Sequence, residues 1–151
     1  MDKTEFINFC KEEFYKRGFR KVKSGYYLDG NKDIQCAIFL QKSNFGNCYY
    51  VNCCFNIKGF NQFLPYPTYN ETDIDGRIGV LSKKSKKEFI TDQIYYEDYE
   101  KNELRLYFDK AFDEWIFPPL KDGKKFILDN LNIFYSLTIN ADKILNELQN
   151  Y

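Results

Sequence analysis

Apolar residues recur at helical spacing at the start of the chain. Four of them fall at positions i, i+3, i+4 and i+8 of one face and predict a helix over residues 3–17: Phe6, Phe9, Cys10 and Phe14. Asp2 can cap this helix, and Glu5 stands where a capping box needs a carboxylate. Gly18 follows in the position where helices commonly end.

Alternation of apolar and polar residues replaces the helical period after Gly18. It predicts four strands in succession, over residues 19–23, 25–28, 34–42 and 49–57. Turn-forming residues separate the later strands, at positions 29–31 and 44–47. Because short turns join antiparallel neighbours, we expect these strands to form a meander.

The two longer strands have one apolar face and one mixed face. Cys36 and Cys53 fall on the apolar face, and we expect both to be buried. Cys48 and Cys54 fall on the other face, beside aromatic and amide side chains. Since that face is half apolar, we expect a helix or a partner to cover part of it.

A long connection separates these strands from a helical second half. Residues 58–75 contain prolines but many aromatic side chains, which is typical of a packed loop. Two short strand candidates follow, over residues 77–81 and 89–96. The most regular apolar stripe predicts a helix over residues 100–116, which Pro118 and Pro119 should end because proline disfavours helical angles in the preceding residue.

The C-terminal region admits two interpretations. Residues 124–135 favour a helix, whereas residues 133–139 could instead form a strand. A last helix is predicted over residues 141–149, capped by Asn140. This order indicates one α+β domain over residues 1–151: an antiparallel β-sheet (meander), with the N-terminal helix and the C-terminal helices packed mainly on one face.

The amino-acid composition excludes several classes of function. The 151 residues contain no histidine, which removes histidine-based nucleophilic catalysis and the commonest nitrogen ligand of metals. Basic and acidic side chains balance at 22 each, so we expect neither nucleic acid nor membrane as a partner. The five cysteines lack metal-ligand spacing, and we expect packing thiols and no metal or cofactor. No signal peptide or apolar span is visible, which favours a cytoplasmic protein.

Several short segments carry a resemblance to a known family: Gly18-Phe19-Arg20-Lys21, Gly25-Tyr26-Tyr27, Leu40-Gln41-Lys42-Ser43, Tyr49-Tyr50-Val51-Asn52 and Phe117-Pro118-Pro119-Leu120. The chain resembles the bacterial family catalogued as domain of unknown function 4304. The resemblance implies a small bacterial cytoplasmic α+β domain and no particular substrate. Members of that family often carry a histidine near the position of Arg77, and its absence here argues against a shared catalytic histidine.

Polar side chains gather at one end of the predicted hairpin. The candidate binding residues are Gln41, Lys42, Ser43 and Asn52 of the hairpin, with Arg77 on the next predicted strand. Lysine and amide groups of this kind bind carboxylates or phosphates in a shaped pocket. Turn chemistry and strand-end hydrogen bonds explain the same residues without a ligand.

Two functions are compatible with these features. The first is a non-catalytic protein-binding domain, in its most concrete form an immunity or antitoxin-like protein whose partner is a toxin, because many tyrosines and a half-apolar sheet face suit a protein interface. The alternative is a small-molecule-binding domain or a histidine-independent enzyme, with Lys42, Arg77 and acidic loop residues around a pocket between the sheet and the loop of residues 58–75. The lysines of residues 83–87 favour a solvated loop, since acidic residues follow them closely.

Overall fold

The first helix forms where the sequence predicts it. Helix α1 (Lys3–Lys16) begins with a complete capping box: Glu5 N–H donates to Asp2 Oδ1 at 2.8 Å, and Asp2 N–H donates to Glu5 Oε2 at 2.9 Å. Gly18 follows with φ of 93°, a left-handed conformation that glycine adopts without strain. The computed structural model describes residues 1–31, 33–59, 64–134 and 136–137, the last two as backbone only.

The strands of the described residues form one large antiparallel sheet and one small hairpin. In chain order they are β1 (Arg20–Val22), β2 (Gly25–Asp29), β3 (Ile34–Lys42), β4 (Cys48–Ile57), β5 (Ile74–Arg77), β6 (Val80–Leu81), β7 (Ile90–Thr91), β8 (Ile94–Tyr95) and β9 (Ser136–Leu137). The large sheet has the order β1-β2-β3-β4-β5-β9, and β8 also pairs with β4. Within the described part of the chain, strands β6 and β7 pair only with each other.

Two strands share one edge of β4. β5 pairs with residues 52–55 of β4, whereas β8 pairs with Cys48 and Tyr49. Between them the chain leaves the sheet after Arg77, forms the β6–β7 hairpin and returns. The predicted strand over 77–81 is therefore two strands, with β5 beginning earlier at Ile74. The predicted strand over 89–96 is likewise divided between β7 and β8.

The helices pack on one face of the large sheet, as expected. This inner face contributes alternate residues of β3 and β4 to the core, among them Cys36, Ile38, Val51 and Cys53. Buried residues of α1, of α2 (Lys101–Ala111) and of the segments after it complete this core, which is rich in phenylalanine: Phe6, Phe9, Phe14, Phe108 and Phe112. The α+β class predicted from the sequence is thus confirmed.

The opposite, outer face of the sheet is covered in part by residues 64–72. Tyr27, Ala37, Phe39 and Cys54 form a second buried cluster there, against which Tyr69 packs. Tyr27 Oη donates a hydrogen bond to the Pro67 carbonyl at 2.8 Å. We expected a helix or a partner to cover this face, and a loop of the chain covers that part of it instead.

The helix predicted over residues 100–116 does not end before the prolines. α2 widens into a π-helical turn (Phe112–Ile116), and Phe117 N–H donates to the Phe112 carbonyl five residues back. The chain then continues as α3 (Phe117–Asp122), which contains Pro118 and Pro119 in its first turn. Proline is tolerated there because the first N–H groups of a helix need no intrahelical partner.

The region after α3 contains both a short helix and a strand, the two structures that the sequence allowed there. α4 (Lys124–Asp129) is shorter than the helix predicted over 124–135, and a 3₁₀ turn (Leu131–Ile133) follows. β9 then pairs with β5 in the predicted strand region. The helix predicted over 141–149 lies outside the described residues. Of the described helices, none combines the length and apolarity needed to cross a membrane.

Candidate functional site

Three of the predicted site residues meet on the outer face. Asn52 Nδ2 donates to Gln41 Oε1 at 3.0 Å, and Arg77 Nε donates to Asn52 Oδ1 at 2.9 Å. Asn52 is 1% exposed, so both ends of its amide need these partners. The chain of contacts links β3, β4 and β5 at the point where β5 ends.

Arg77 is the centre of this network. Its guanidinium stacks on the Tyr50 ring and pairs with Asp92, with Nη1 3.0 Å from Asp92 Oδ2. Burial, the largest single cause, lowers the pKa of Arg77, but the Asp92 carboxylate together with Tyr69 and Tyr50 raises it, so the pKa is raised overall. Since Asp92 already neutralises the cation, an anionic ligand would have to displace it.

The network fixes residues 78–91, which include β6 and β7 and which we call the β6–β7 excursion, to the large sheet. Asp92 and Gln93 lie immediately before β8, and Gln93 Nε2 donates to Tyr50 Oη at 3.0 Å. Arg77 lies immediately before the excursion. Both ends of the excursion are therefore fixed to the same edge of β4, which gives these polar residues a structural role.

Lys42 and Ser43 lie apart from the network, in and beside the β3–β4 turn. Lys42 Nζ donates to the Gly46 carbonyl at 2.8 Å and lies 5.6 Å from the centre of the Tyr49 ring, on the inner-face side of the hairpin. Ser43 Oγ accepts from Phe45 N–H at 3.1 Å. These contacts fix the conformation of the turn.

The turn also presents a feature that sequence reasoning missed. Phe45 is 90% exposed at its tip. Beside it, Gly46 faces Tyr95 so closely that a Cβ would lie 3.3 Å from the ring, and Lys84 Nζ lies 4.8 Å from the Tyr95 centroid. The turn and the lysine loop of residues 83–87 are therefore neighbours. We call Lys42, Phe45, Gly46, Lys84 and Tyr95 the tip surface.

The cysteines are buried free thiols rather than reactive groups. Burial, as the largest cause, raises the pKa of Cys10, Cys36 and Cys53 well above the usual value and that of Cys54 to about 12. These four thiols are therefore neutral at physiological pH, whereas nucleophilic catalysis needs a thiolate. In the part of the chain that the structure describes, no three cysteine or acidic side chains are grouped to hold a metal ion.

The fold and these surfaces define a small α+β domain with a polar network on the outer face of its sheet and an exposed hairpin tip. The chain belongs to the family described as domain of unknown function (DUF4304), whose model matches residues 10–122. The match extends from α1 to the end of α3 and so includes both the network and the tip surface. No curated protein and no solved structure matches the chain.

Proposed function

We propose that this protein is a non-catalytic protein-binding domain of the immunity type. It inhibits a partner such as a toxin by covering the surface through which that partner acts. The observation that carries the proposal is Phe45. A phenylalanine that is 90% exposed gains nothing from folding, whereas aromatic side chains are enriched at the centres of protein interfaces.

The position of Phe45 suits an anchor because the turn around it is held in place. Ser43 N–H donates to the Cys48 carbonyl at 3.0 Å, and Lys42 bonds the Gly46 carbonyl. Gly46 packs against Tyr95. An anchor that is already ordered loses little conformational entropy on binding, and this raises affinity.

The charges around Phe45 define the chemistry of the partner. Lys42, Lys86 and Lys87 are exposed and form no ion pair with any described residue, whereas Lys84 pairs with Asp98 at 3.0 Å. We infer a partner surface with an apolar pocket for Phe45 and carboxylates at its rim. Charge pairs at such a rim mainly increase the rate of association and depend on salt.

The buried thiols and the absence of histidine support a role that needs no catalytic group. Binding requires only a complementary surface. The alternative site, a pocket in which Lys42 and Arg77 converge, has less support because Lys42 projects from the inner-face side of the hairpin and Arg77 from the outer face.

The test begins with capture of partners from the source organism by wild-type protein and by Phe45→Ser. We expect a protein that is retained by the wild type and lost with Phe45→Ser. With that protein purified, calorimetry should show at least a tenfold loss of affinity for Phe45→Ser and a smaller, salt-dependent loss for Lys42→Ala. Folding should be unaffected, with the unfolding free energy of Phe45→Ser within about 0.5 kcal/mol of wild type.

Leu106→Ser is the matched control, because Leu106 is an apolar residue of α2 that is 69% exposed but lies outside the tip surface. Its affinity should equal that of the wild type. Equal losses for both variants would reject the tip surface as the interface. Growth tests with the captured partner address the immunity role: co-expressed wild-type protein should relieve toxicity and Phe45→Ser should not. A captured partner without toxicity would reject that role.

A further inference from the structure

A cleft of about 340 Å³ opens between the β6–β7 excursion and the helical segments that cover the inner face of the sheet. Its lining comes from the end of β5, from the excursion, from α2 with the π-helical turn, and from the 3₁₀ turn after α4. The cleft shares Arg77 with the outer network and no residue with the tip surface. Its volume lies at the lower end of the roughly 300–1,000 Å³ that is usual for small-molecule sites.

Trp115 forms one wall of the cleft and is held against the sheet by the π-helical turn. The benzene edge of its indole lies so close to Gly76 that a Cβ there would be 2.9 Å from Cζ3. The indole N–H is on the opposite side of the ring system and is thus directed away from β5. It forms no hydrogen bond with any described residue, and it is not sealed off from solvent. Because an indole nitrogen can only donate, a ligand must bring an acceptor to it.

Lys110 supplies a cation that is free to pair with a ligand. It is exposed in the last turn of α2 and forms no ion pair with any described residue. Arg77, the other cation in the lining, is already paired with Asp92. Glu114 is the one acid among the described lining residues, and it is exposed to water. Since the Lys110 ammonium and the indole N–H both donate, a negatively charged acceptor satisfies both.

Apolar side chains form the rest of the cleft. Ile90 is 61% exposed and lies over Gly79, where a Cβ would be 2.6 Å from Ile90 Cγ2. Tyr107, Ala111 and Ile133 also line the cleft. Covering an exposed isoleucine removes apolar surface from water, so a ligand with an apolar body gains free energy here.

We propose that this cleft binds a small monocarboxylic acid with an aromatic or branched aliphatic body. The ligand's carboxylate accepts from the Trp115 N–H and pairs with Lys110. Its body packs against Ile90, Tyr107 and Ile133. The proposed protein-binding function assigns no role to the cleft, and the carboxylate site stands whether or not a protein partner is found.

The experiment titrates the purified chain with phenylacetate, benzoate and isovalerate and follows the emission of Trp115, the only tryptophan. Thermal unfolding with each acid at about 5 mM and constant ionic strength gives a second readout, because a ligand that binds the folded state raises Tm. We expect at least one of the three acids to change the emission saturably and to raise Tm by a few degrees. The neutral amide of that acid, which lacks the charge, should bind at least about tenfold more weakly.

Variants locate the site. Lys110→Gln changes an exposed side chain and should fold normally while weakening binding by about tenfold or more. Lys121→Gln, at an exposed position of α3 outside the cleft, is the matched control and should bind as the wild type does. Glu114→Gln removes a like charge and should bind at least as tightly as the wild type. Trp115→Phe keeps an aromatic ring without the N–H and should weaken binding, as measured by calorimetry. If that variant does not melt cooperatively, Lys110→Gln decides alone.

Four results would overturn the proposal. One is that none of the three acids changes the emission or Tm. Another is that Lys110→Gln binds as tightly as the wild type. The third is that the neutral amide binds as well as the acid, since the cleft would then recognise only the apolar body. The last is an equal loss for Lys110→Gln and Lys121→Gln, which would assign the effect to the overall charge of the protein rather than to this cleft.

Discussion

The guanidinium carbon of Arg77 lies 4.1 Å from the centre of the Tyr50 ring. Tyr50 belongs to the short part of the β4 edge that pairs with neither β5 nor β8. The stacked arginine covers this ring on the outer face of the sheet, at the point where the chain leaves β5.

Arg77→Lys tests the contribution of the planar guanidinium. Lysine can keep a charge near Asp92, but it loses the bond from Nε to Asn52 and the stacking on Tyr50. We expect a loss of about 1–2 kcal/mol in the free energy of unfolding, measured in urea at neutral pH. Arg20→Lys, at an exposed position of β1 where the only side-chain hydrogen bond found for the arginine is a long one to Tyr66, should cost below about 0.5 kcal/mol. Equal costs would show that the stacked geometry contributes nothing.

Gly76→Ala tests the close approach of β5 to the π-helical turn. An added Cβ would lie 2.9 Å from Trp115 Cζ3, so the indole must move. We expect a loss of about 1–3 kcal/mol and a change in the emission of Trp115, the only tryptophan. Gly46→Ala, whose Cβ would meet Tyr95 at 3.3 Å in an exposed turn, should cost less. Unchanged emission in Gly76→Ala would mean that the indole does not lie against β5.

Tyr99→Phe tests the stability at alkaline pH. Burial first, then Tyr107, Asp98 and Glu103, raise the pKa of Tyr99 from 10.0 to about 12. The raised pKa means that folding favours the neutral phenol, so its contribution is complete below about pH 10 and is lost as pH rises through about 12. The variant also loses the hydrogen bond from Tyr99 Oη to the Leu81 carbonyl, 2.6 Å long, and should be about 1–2 kcal/mol less stable at neutral pH.

The measurement is the difference in unfolding free energy between wild type and Tyr99→Phe at about pH 7 and about pH 11. Other titrating groups are present in both proteins and cancel in the difference. We expect the gap between them to shrink at the higher pH. A constant gap would show that Tyr99 titrates alike in the folded and unfolded chains.

Thiol labelling tests the register of the β3–β4 hairpin. All five cysteines are buried, so a chromogenic disulfide reagent should react very slowly with the native protein and quickly with all five in denaturant. Mass spectrometry of partly labelled protein identifies any thiol that reacts first. Rapid labelling of Cys36 or Cys53 would contradict the pairing that places both on the inner face.

Local signals predicted the elements that depend on neighbours in sequence. The capping box at Asp2 and Glu5 and the alternation in β3 and β4 are of this kind, and the observed bounds nearly match the predicted ones. The π-helical turn was not predicted, because a proline pair usually indicates the end of a helix. Here the π-helical turn changes the backbone hydrogen-bonding pattern just before the prolines, and the helical path continues through them. β5 was placed too late because Gly76 weakens the strand pattern, and only pairing with β4 reveals it.

The candidate site was predictable only in part. The period of two along β3 already separates Lys42 from Gln41, and applying it would have placed Lys42 apart from Asn52. The pairing of Arg77 with Asp92 depends on where the excursion returns to the sheet, which no local pattern contains. The bond from Gln35 Nε2 to the Pro65 carbonyl likewise joins β3 to a loop that is distant in sequence.

Because β5 and β8 both pair with one edge of β4, the β6–β7 hairpin between them is separate from the large sheet. Ser82 N–H donates to the Phe89 carbonyl at 2.9 Å and closes the hairpin beneath the lysine loop. Residues 83–88 can therefore change in length or charge while the ladders of the large sheet stay intact, since lengthening a surface loop costs little entropy. Altering this loop alone would change the charge beside the hairpin tip while the fold stays the same, so a library of such loops could be displayed on this domain.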